Sequence, residues 1–586
     1  MLENDPIKRV LHVDLTNRRS WIAERPELFD RYLGGTGAAI KLLTAECPHG
    51  TSPLGPDNPI IFAVGQLNAV FPTVSKTVAM FKSPLTGNLG ESHAGGRSAI
   101  AIRMAGYGAI VIKGVSESPV YLVIDDEGAT FRDASGFWGI ESSYTVGRTI
   151  REREGGAGVR SIMRIGRAGE KLVSYACLVT ETYRHFGRLG LGAVFGSKKL
   201  KALVVSGKRS FEFKDKRLFR DTYNELFKAL MTLPLMKKYH ELGTPMSIEP
   251  LNTLGALPTR NLASTRFEDA DKISGEAFAV NYLGRRVACA HCPVSCIHIA
   301  ALRERYEGEP YFYKTRMISY DYELIYALGS MLGVGSPEDV LRLIDEVEKL
   351  GLDAMSAGVA LAWTTEMLNR RMISEEETSL RLSWGDAKSY LEAIRLITSQ
   401  PNDFYKALAK GLDFASSRYG GEEFALAFGG NEMPGYFTGP AAPLGYAVGS
   451  RHSHLDNAGY SLDEKLIKME KTATPEAIAQ ELLNEEIWRQ ILSSLVVCFF
   501  ARGVYTQDMV AKALRSVGYE LAKEDFNEIG SEILKAKYDF KVREGFDLNK
   551  VRLPHRVFEV PAPQGLIGEE FVQRALEEFK AKIEAL

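Results

Sequence analysis

The sequence is short of cysteine, of charge imbalance and of long apolar runs, and each shortage excludes something. Six cysteines in 586 residues cannot build a disulfide scaffold. The 72 lysines and arginines nearly balance 74 aspartates and glutamates, so no polyanion-binding surface is advertised and no nucleic-acid partner is expected. No stretch is apolar for long enough to serve as a transmembrane segment. Residues 495–501 are the strongest run near the C-terminus and are far too short to span a bilayer. Residues 1–10 mix charges with a proline and hold no apolar signal core, so the expected location is cytoplasmic. At 45% hydrophobic and 25% charged, a chain of this length reads as a globular protein of several domains.

What is there changes character along the chain. Short apolar runs at 9–15, 59–64, 77–81, 109–113, 120–124 and 201–206 are separated by turn residues such as Ser83-Pro84, Thr86-Gly87 and Gly95-Gly96, which predicts strands. From about Asp215 the apolar period becomes helical, with amphipathic helices predicted over 221–240, 336–350, 354–370 and 387–398. Ser336-Pro337-Glu338-Asp339 is a start signal: an N-cap serine, proline at the first helical position and acids in the first turn. A glycine-rich break at 428–440 precedes the last portion. The expected domains are 1–208, 209–425 and 426–586.

Three cysteines fall within eight residues, in Cys289-Ala-His-Cys292-Pro-Val-Ser-Cys296. Thiolates this close can share one cubane iron–sulfur cluster, whose fourth ligand normally comes from elsewhere in the chain. Cys498 is the candidate, because an apolar segment followed by Arg502 suits a buried, net-anionic cluster. Structural zinc completed by His291 or His298 is the rival reading, although zinc sites favour separated C-x2-C pairs. An inert buried trio is the third. Cys47 and Cys177 have no cysteine neighbours and read as buried free thiols.

The segment from Gly187 to Lys201 alternates glycines, including Gly190, Gly192 and Gly196, with basic residues. Such a loop can turn backbone N–H groups toward a phosphate-like anion, though a plain turn before the next strand explains it equally well. It matches neither a P-loop nor a G-x-G-x-x-G fingerprint. Residues Pro72 to Lys76, Ser83 to Gly87 and Ala94-Gly95-Gly96-Arg97 repeat the theme, and two such loops in one domain favour a bulky anionic cofactor.

Together these segments resemble the tungsten aldehyde:ferredoxin oxidoreductases over nearly the whole chain. The resemblance runs through Tyr32-Leu-Gly-Gly35-Thr-Gly37, Lys82-Ser-Pro-Leu-Thr-Gly87, Ile165-Gly-Arg-Ala-Gly-Glu170 and Gly192-Ala-Val-Phe-Gly-Ser-Lys198, and ends with the four cysteines at the family's cluster positions. It implies an α+β fold, in which an N-terminal β-rich domain forms the pterin-binding base and two mostly α-helical domains cover it. It also implies a tungsten bis-pyranopterin (molybdenum being the alternative metal), one [4Fe–4S] cluster held by Cys289, Cys292, Cys296 and Cys498, and a Mg2+ ion bridging the pterin phosphates. Lys76 stands where the family has an arginine between cluster and pterin, without arginine's planar fork. Arg184 matches a second basic position, and Gly95, Gly96, Gly190 and Gly192 lie in the cofactor loops. One pterin motif is matched by Glu348-Lys-Leu-Gly351-Leu-Asp353. The other is matched by Ser493-Ser-Leu-Val-Val-Cys498. Both depart from the family's opening aspartate. Glu348 keeps a carboxylate, whereas Ser493 supplies no charge.

By the same resemblance Glu323 is the active-site carboxylate, with Tyr322 beside it. Apolar neighbours should raise its pKa. Without the resemblance it reads as an ordinary acid near a helix start, and Asp321 is easily confused with it. His454 is the expected histidine near tungsten, with His452 as the alternative. The expected reaction is oxidation of an aldehyde to a carboxylic acid, with electrons leaving to ferredoxin or a ferredoxin-like iron–sulfur subunit, in a homo- or hetero-oligomer. A reductive subunit related to benzoyl-CoA reductase and a non-catalytic iron–sulfur scaffold are the alternatives.

Overall fold

The computed structural model describes residues 2–3, 5–155 and 158–586. The N-terminal region contains two six-stranded sheets. The first runs, edge to edge, through Arg19–Glu24, Arg9–Asp14, Ala109–Lys113, Ile60–Ala63, Thr77–Lys82 and Leu89–Ala94. The second runs through Arg184–Phe186, Leu178–Thr180, Val159–Ile165, Leu200–Gly207, Val120–Asp125 and Gly128–Asp133. The period of two along a strand explains the layering. Ile60 and Phe62 pack into a core shared with Leu122, Met163 and Leu203 of the second sheet. Ile61 and Ala63, pointing the other way, pack with Ala39 and Leu43 of the helix Gly35–Glu46 and with Ile491, Phe526 and Ile533 of the C-terminal helices. The first sheet is thus covered on both faces.

The helical part begins as the period predicts. Ser336 Oγ caps Asp339 N at 3.3 Å, Pro337 opens the helix Pro337–Leu350, and Gly351 ends it at φ 74°. Val340, Leu343, Ile344 and Val347 form its buried stripe. The helix expected over 221–240 is two helices, Lys216–Thr232 and Pro234–Leu242. Leu233 is extended because it precedes proline. A larger difference is a three-stranded antiparallel sheet, Leu283–Val287, Ile297–Tyr306 and Glu309–Tyr320, inside the domain expected to be helical. One hydrophobic core joins Trp363 and Phe404 to Tyr446, Leu482 and Phe579, on both sides of residue 425. Among the described residues no helix is long and apolar enough to cross a membrane.

Candidate active site

The edge strand of each N-terminal sheet, Leu89–Ala94 in one and Arg184–Phe186 in the other, lies against its counterpart. Above this seam sit the starts of the helices Tyr322–Leu328 and Ala354–Asn369, together with residues 451–455 and 497–500. They enclose a cavity of about 320 Å³. Its wall includes Lys76, Gly95, Arg184, Cys296, Cys498, Tyr322, Glu323, Glu348, Asp353 and His454. Larger clefts of about 660 and 510 Å³ lie elsewhere and contain none of these residues.

The cysteine segment is the connection of a hairpin. Val287 pairs with Ile297, which pins both ends of the loop carrying Cys289, Cys292 and Cys296. Cys498, more than two hundred residues later, is brought to it by Thr73. Thr73 N donates to His291 O at 3.0 Å, and Cys498 N donates to Thr73 O at 3.0 Å. Thr73, His291, Ser295 and Val496 all have positive φ, so this meeting point is built from turn conformations uncommon for non-glycine residues. Burial pushes the Cys292 and Cys296 thiols up to about 12 and about 11, with their sister cysteines adding to the rise at Cys292. Burial acts on Cys289 too, but Arg184 and Lys76 outweigh it and hold that thiol below its usual value. Gly95 makes this approach possible: a Cβ there would lie 2.7 Å from Cys289 Sγ. Among the described residues no three His, Cys, Asp or Glu side chains converge on a point fit for a single metal ion.

Glu323 lies in the first turn of the helix Tyr322–Leu328, whose N-cap is Asp321. Gly435 N donates to Glu323 Oε2 at 3.0 Å, while Oε1 has no hydrogen-bond partner and stands 3.4 Å from His454 Nε2. Burial raises the Glu323 pKa to about 8, against the opposing pull of the Gly435 N–H. Burial, reinforced by Arg188 and Arg489, lowers His454 to about 3, so its imidazole is neutral at any working pH. Its Nδ1 is also unpartnered. The Tyr322 hydroxyl donates to Gly435 O and so fixes the loop segment that holds Glu323. Asp321 faces Arg184 at 4.0 Å. His452 points elsewhere: Nδ1 is 3.0 Å from Tyr446 O and Nε2 is 3.0 Å from Lys541 Nζ.

Asp353 caps the helix Ala354–Asn369 through Met355 N and Ser356 N, and lies 3.3 Å from Arg188 Nε. Glu348 Oε2 is 2.5 Å from His185 Nε2. Gly96 accepts a hydrogen bond from Ala290 N and anchors the cysteine loop. Gly190 and Gly192 lie behind the cavity wall. Gly192 N donates to Ala176 O, and a Cβ at either position would strike the backbone of residues 174–177 within 2.5 Å. Ser493 is buried in the helix Pro475–Ser494 and is not on the cavity wall; its carbonyl packs on Gly35. Sequence reasoning missed Arg188, Glu91, His93 and Cys177 on the wall. Glu91 is held by Thr36, His93 and Lys537 at 2.6, 2.7 and 2.6 Å. No local pattern announces this network, because Leu89–Ala94 is buried along nearly its whole length without an alternating sequence.

Arg184 Nε, Arg188 Nη1, Glu323 Oε1 and His454 Nδ1 are buried on one cavity wall without partners in the protein. Unpaired buried polar atoms are costly, so such a group of them fits a bound polar guest. Thiols, arginines with unused donors and a proton-holding carboxylate around one enclosed space suit an oxidoreductase working on a bound anionic cofactor. Comparison with known proteins gives the family. Residues 10–207 match the model of the aldehyde ferredoxin oxidoreductase N-terminal domain, and residues 221–582 match that of domains 2 and 3. The chain is 32% identical to the tungsten-containing aldehyde ferredoxin oxidoreductase of Thermococcus kodakarensis, over 95% of this chain and 92% of that protein. It is also 32% identical to the Pyrococcus furiosus protein of the same description, over 92% and 89%. To the WOR-like subunit of the Pyrococcus furiosus aliphatic sulfonate oxidoreductase it is 27% identical, over 98% and 92%. The active-site complex BamBC of benzoyl-coenzyme A reductase shares the fold, with a TM-score of 0.83 at 21% identity, over 100% of this chain and 95% of that one. The chain belongs to the aldehyde ferredoxin oxidoreductase family.

Proposed function

We propose that this oxidoreductase converts aldehydes to carboxylic acids and passes the electrons out through one [4Fe–4S] cluster to ferredoxin or an iron–sulfur partner subunit. The observation that carries the reading is the Glu323–His454 pair, 3.4 Å apart, in the same cavity as Arg184, Cys296 and Cys498. Cys289, Cys292, Cys296 and Cys498 would hold the cluster. Lys76, Arg184, Glu348 and Asp353 would hold the pyranopterins, and a Mg2+ ion would supply counter-charge to their phosphates. A bound tungsten bis-pyranopterin, or its molybdenum counterpart, would supply the two-electron sink.

The chain's own residues supply proton handling and orientation. Oxidising an aldehyde to a carboxylic acid takes one oxygen atom from water and releases two electrons and two protons, and ionised Glu323 is a proton acceptor. At pH 7 most of Glu323 is protonated, since burial lifts it to about 8. In that form its O–H can donate to His454 Nε2 but it cannot take a proton; the ionised form, in which it accepts from His454 Nε2–H, is the working base. The Gly435 N–H and the Tyr322 hydroxyl fix the carboxylate's position. Tyr436, whose ring is 5.3 Å from that of His454, packs against the imidazole and helps to hold it in place.

Anaerobically purified protein should contain about one tungsten or molybdenum and four irons per chain and reduce viologen in an aldehyde-dependent manner. Zinc without tungsten or molybdenum would refute the reading. Turnover of an aryl-coenzyme A in place of aldehydes would assign the reductive alternative.

A further inference from the structure

The cysteine loop reaches the surface, and what surrounds it there takes no part in the cavity chemistry. His291 is exposed and the three loop cysteines are partly so. The helix Pro234–Leu242 lies against the loop, with His240 Nδ1 2.9 Å from Val294 O and Arg286 Nε donating to His240 O at 2.8 Å. The turn Phe499–Ala501, directly after Cys498, meets the same helix: the rings of Phe500 and Tyr239 stack 4.4 Å apart.

These adjoining segments are net positive. Pro234 to Leu242, Leu283 to Cys296 and Phe499 to Arg502 carry Lys237, Lys238, Arg285, Arg286 and Arg502 against one carboxylate, Glu241, in a chain whose net charge is −2. Lys237 is 77% exposed and its 3.7 Å contact with Glu241 leaves it mostly solvated. Exposed Leu235 adjoins the lysines, and exposed Met231 lies at the end of the preceding helix. Apolar side chains bordered by cations suit a transient interface, and clustered positive charge speeds encounter with an acidic partner.

We infer that this face is the docking site of an acidic iron–sulfur carrier protein. The inference rests on the proposed function. Each visit moves one electron from the reduced cluster held by the four thiolates to the carrier's own cluster, so a two-electron oxidation needs two visits. The loop that carries three of the four thiolates adjoins this surface, so docking here brings the carrier beside the cluster's ligands.

The test is binding of a recombinant acidic ferredoxin to the holoenzyme, without aldehyde, at 50 and 300 mM NaCl. The Lys237→Glu/Lys238→Glu and Arg285→Glu variants should weaken Kd at least tenfold at low salt. The double variant Lys237→Gln/Lys238→Gln should lie between, and high salt should weaken the wild type similarly. Lys388→Glu, exposed on another helix, should bind as wild type. Viologen-linked turnover should be equal in all. Wild-type affinity in the charge-reversal variants, no binding at 50 mM, or salt-independent binding would overturn the inference. So would loss of self-association with unchanged ferredoxin affinity, which would assign the face to a second copy. Because binding is read without turnover, charge-dependent docking without aldehyde activity would sink the proposed substrate alone.

Discussion

Replacing Gly95 with alanine adds one methyl group where the two N-terminal sheets meet the first cysteine. The added Cβ would lie 2.7 Å from Cys289 Sγ, 3.4 Å from Lys76 Nζ and 3.9 Å from Arg184 Nε. Gly95 does not have positive φ, so its backbone conformation does not oppose the change. In open space such a substitution stabilises by about 0.4–1 kcal/mol through the unfolded chain. Here the sulfur must move, and overpacking of this kind costs about 1–3 kcal/mol. If Cys289 is a cluster ligand, that strain falls on the iron–sulfur bond, and cluster retention should weaken by about 5–150-fold. The assay is release of iron from anaerobic protein to a chelator, beside Gly136→Ala, whose Cβ would meet nothing within 4 Å. Gly136→Ala should release iron as wild type does. A folded Gly95→Ala protein that also does so would refute both the steric reasoning and the role of Cys289.

Cys498→Ser should lower iron content while Cys47→Ser leaves it unchanged, as measured by iron per chain. Equal iron in both would remove Cys498 from the ligand set. Aldehyde turnover should rise with pH through about 8, because the acceptor is ionised Glu323 and burial holds its proton on up to that pH. Glu323→Gln should keep its metals, lose about 100- to 10,000-fold in kcat, and lose this rising limb. An unchanged profile in that variant would place the base elsewhere. Asp353→Ala removes the cap on Met355 N and Ser356 N and leaves Arg188 with Glu432 alone, so thermal unfolding should move to lower temperature. The cap alone is worth about 0.5–2 kcal/mol, and Asp353→Asn should recover part of the loss by restoring it. No difference between the two variants would show that the cap carries none of the stability.

The fold was legible where one period ran uninterrupted. The strands at 109–113 and 120–125 follow from short apolar runs between turn residues, and the helix opened by Ser336 follows from its period and cap. Local reasoning failed where the decisive neighbours are distant in sequence. The edge strand Leu89–Ala94 contains Gly90, Glu91 and His93, which argue against a buried strand until Lys537 and Thr36 supply partners from far along the chain. Glu323 is similar. Its helix start is readable, but Gly435 and His454, which lie more than a hundred residues later, give the carboxylate its environment. The glycines at 190 and 192 show the converse. Their spacing suggests an anion loop, while close approach to residues 174–177 already accounts for them.

The three-stranded sheet inside the helical region has a consequence for the site. Strand Ile297–Tyr306 begins one residue after Cys296, and strand Glu309–Tyr320 ends one residue before Asp321, the cap of the helix bearing Glu323. The register that pairs His298 with Tyr320 therefore fixes the last loop cysteine and the carboxylate relative to each other. A one-residue slip would turn every side chain of the outer strand to the opposite face and displace the helix start that follows it. Buried Ala300 and Leu302 on one strand and Ile318 and Tyr320 on the next hold that register through the hydrophobic core. Two widely separated motifs thus act as one rigid unit, and a loop between helices would not impose that geometry.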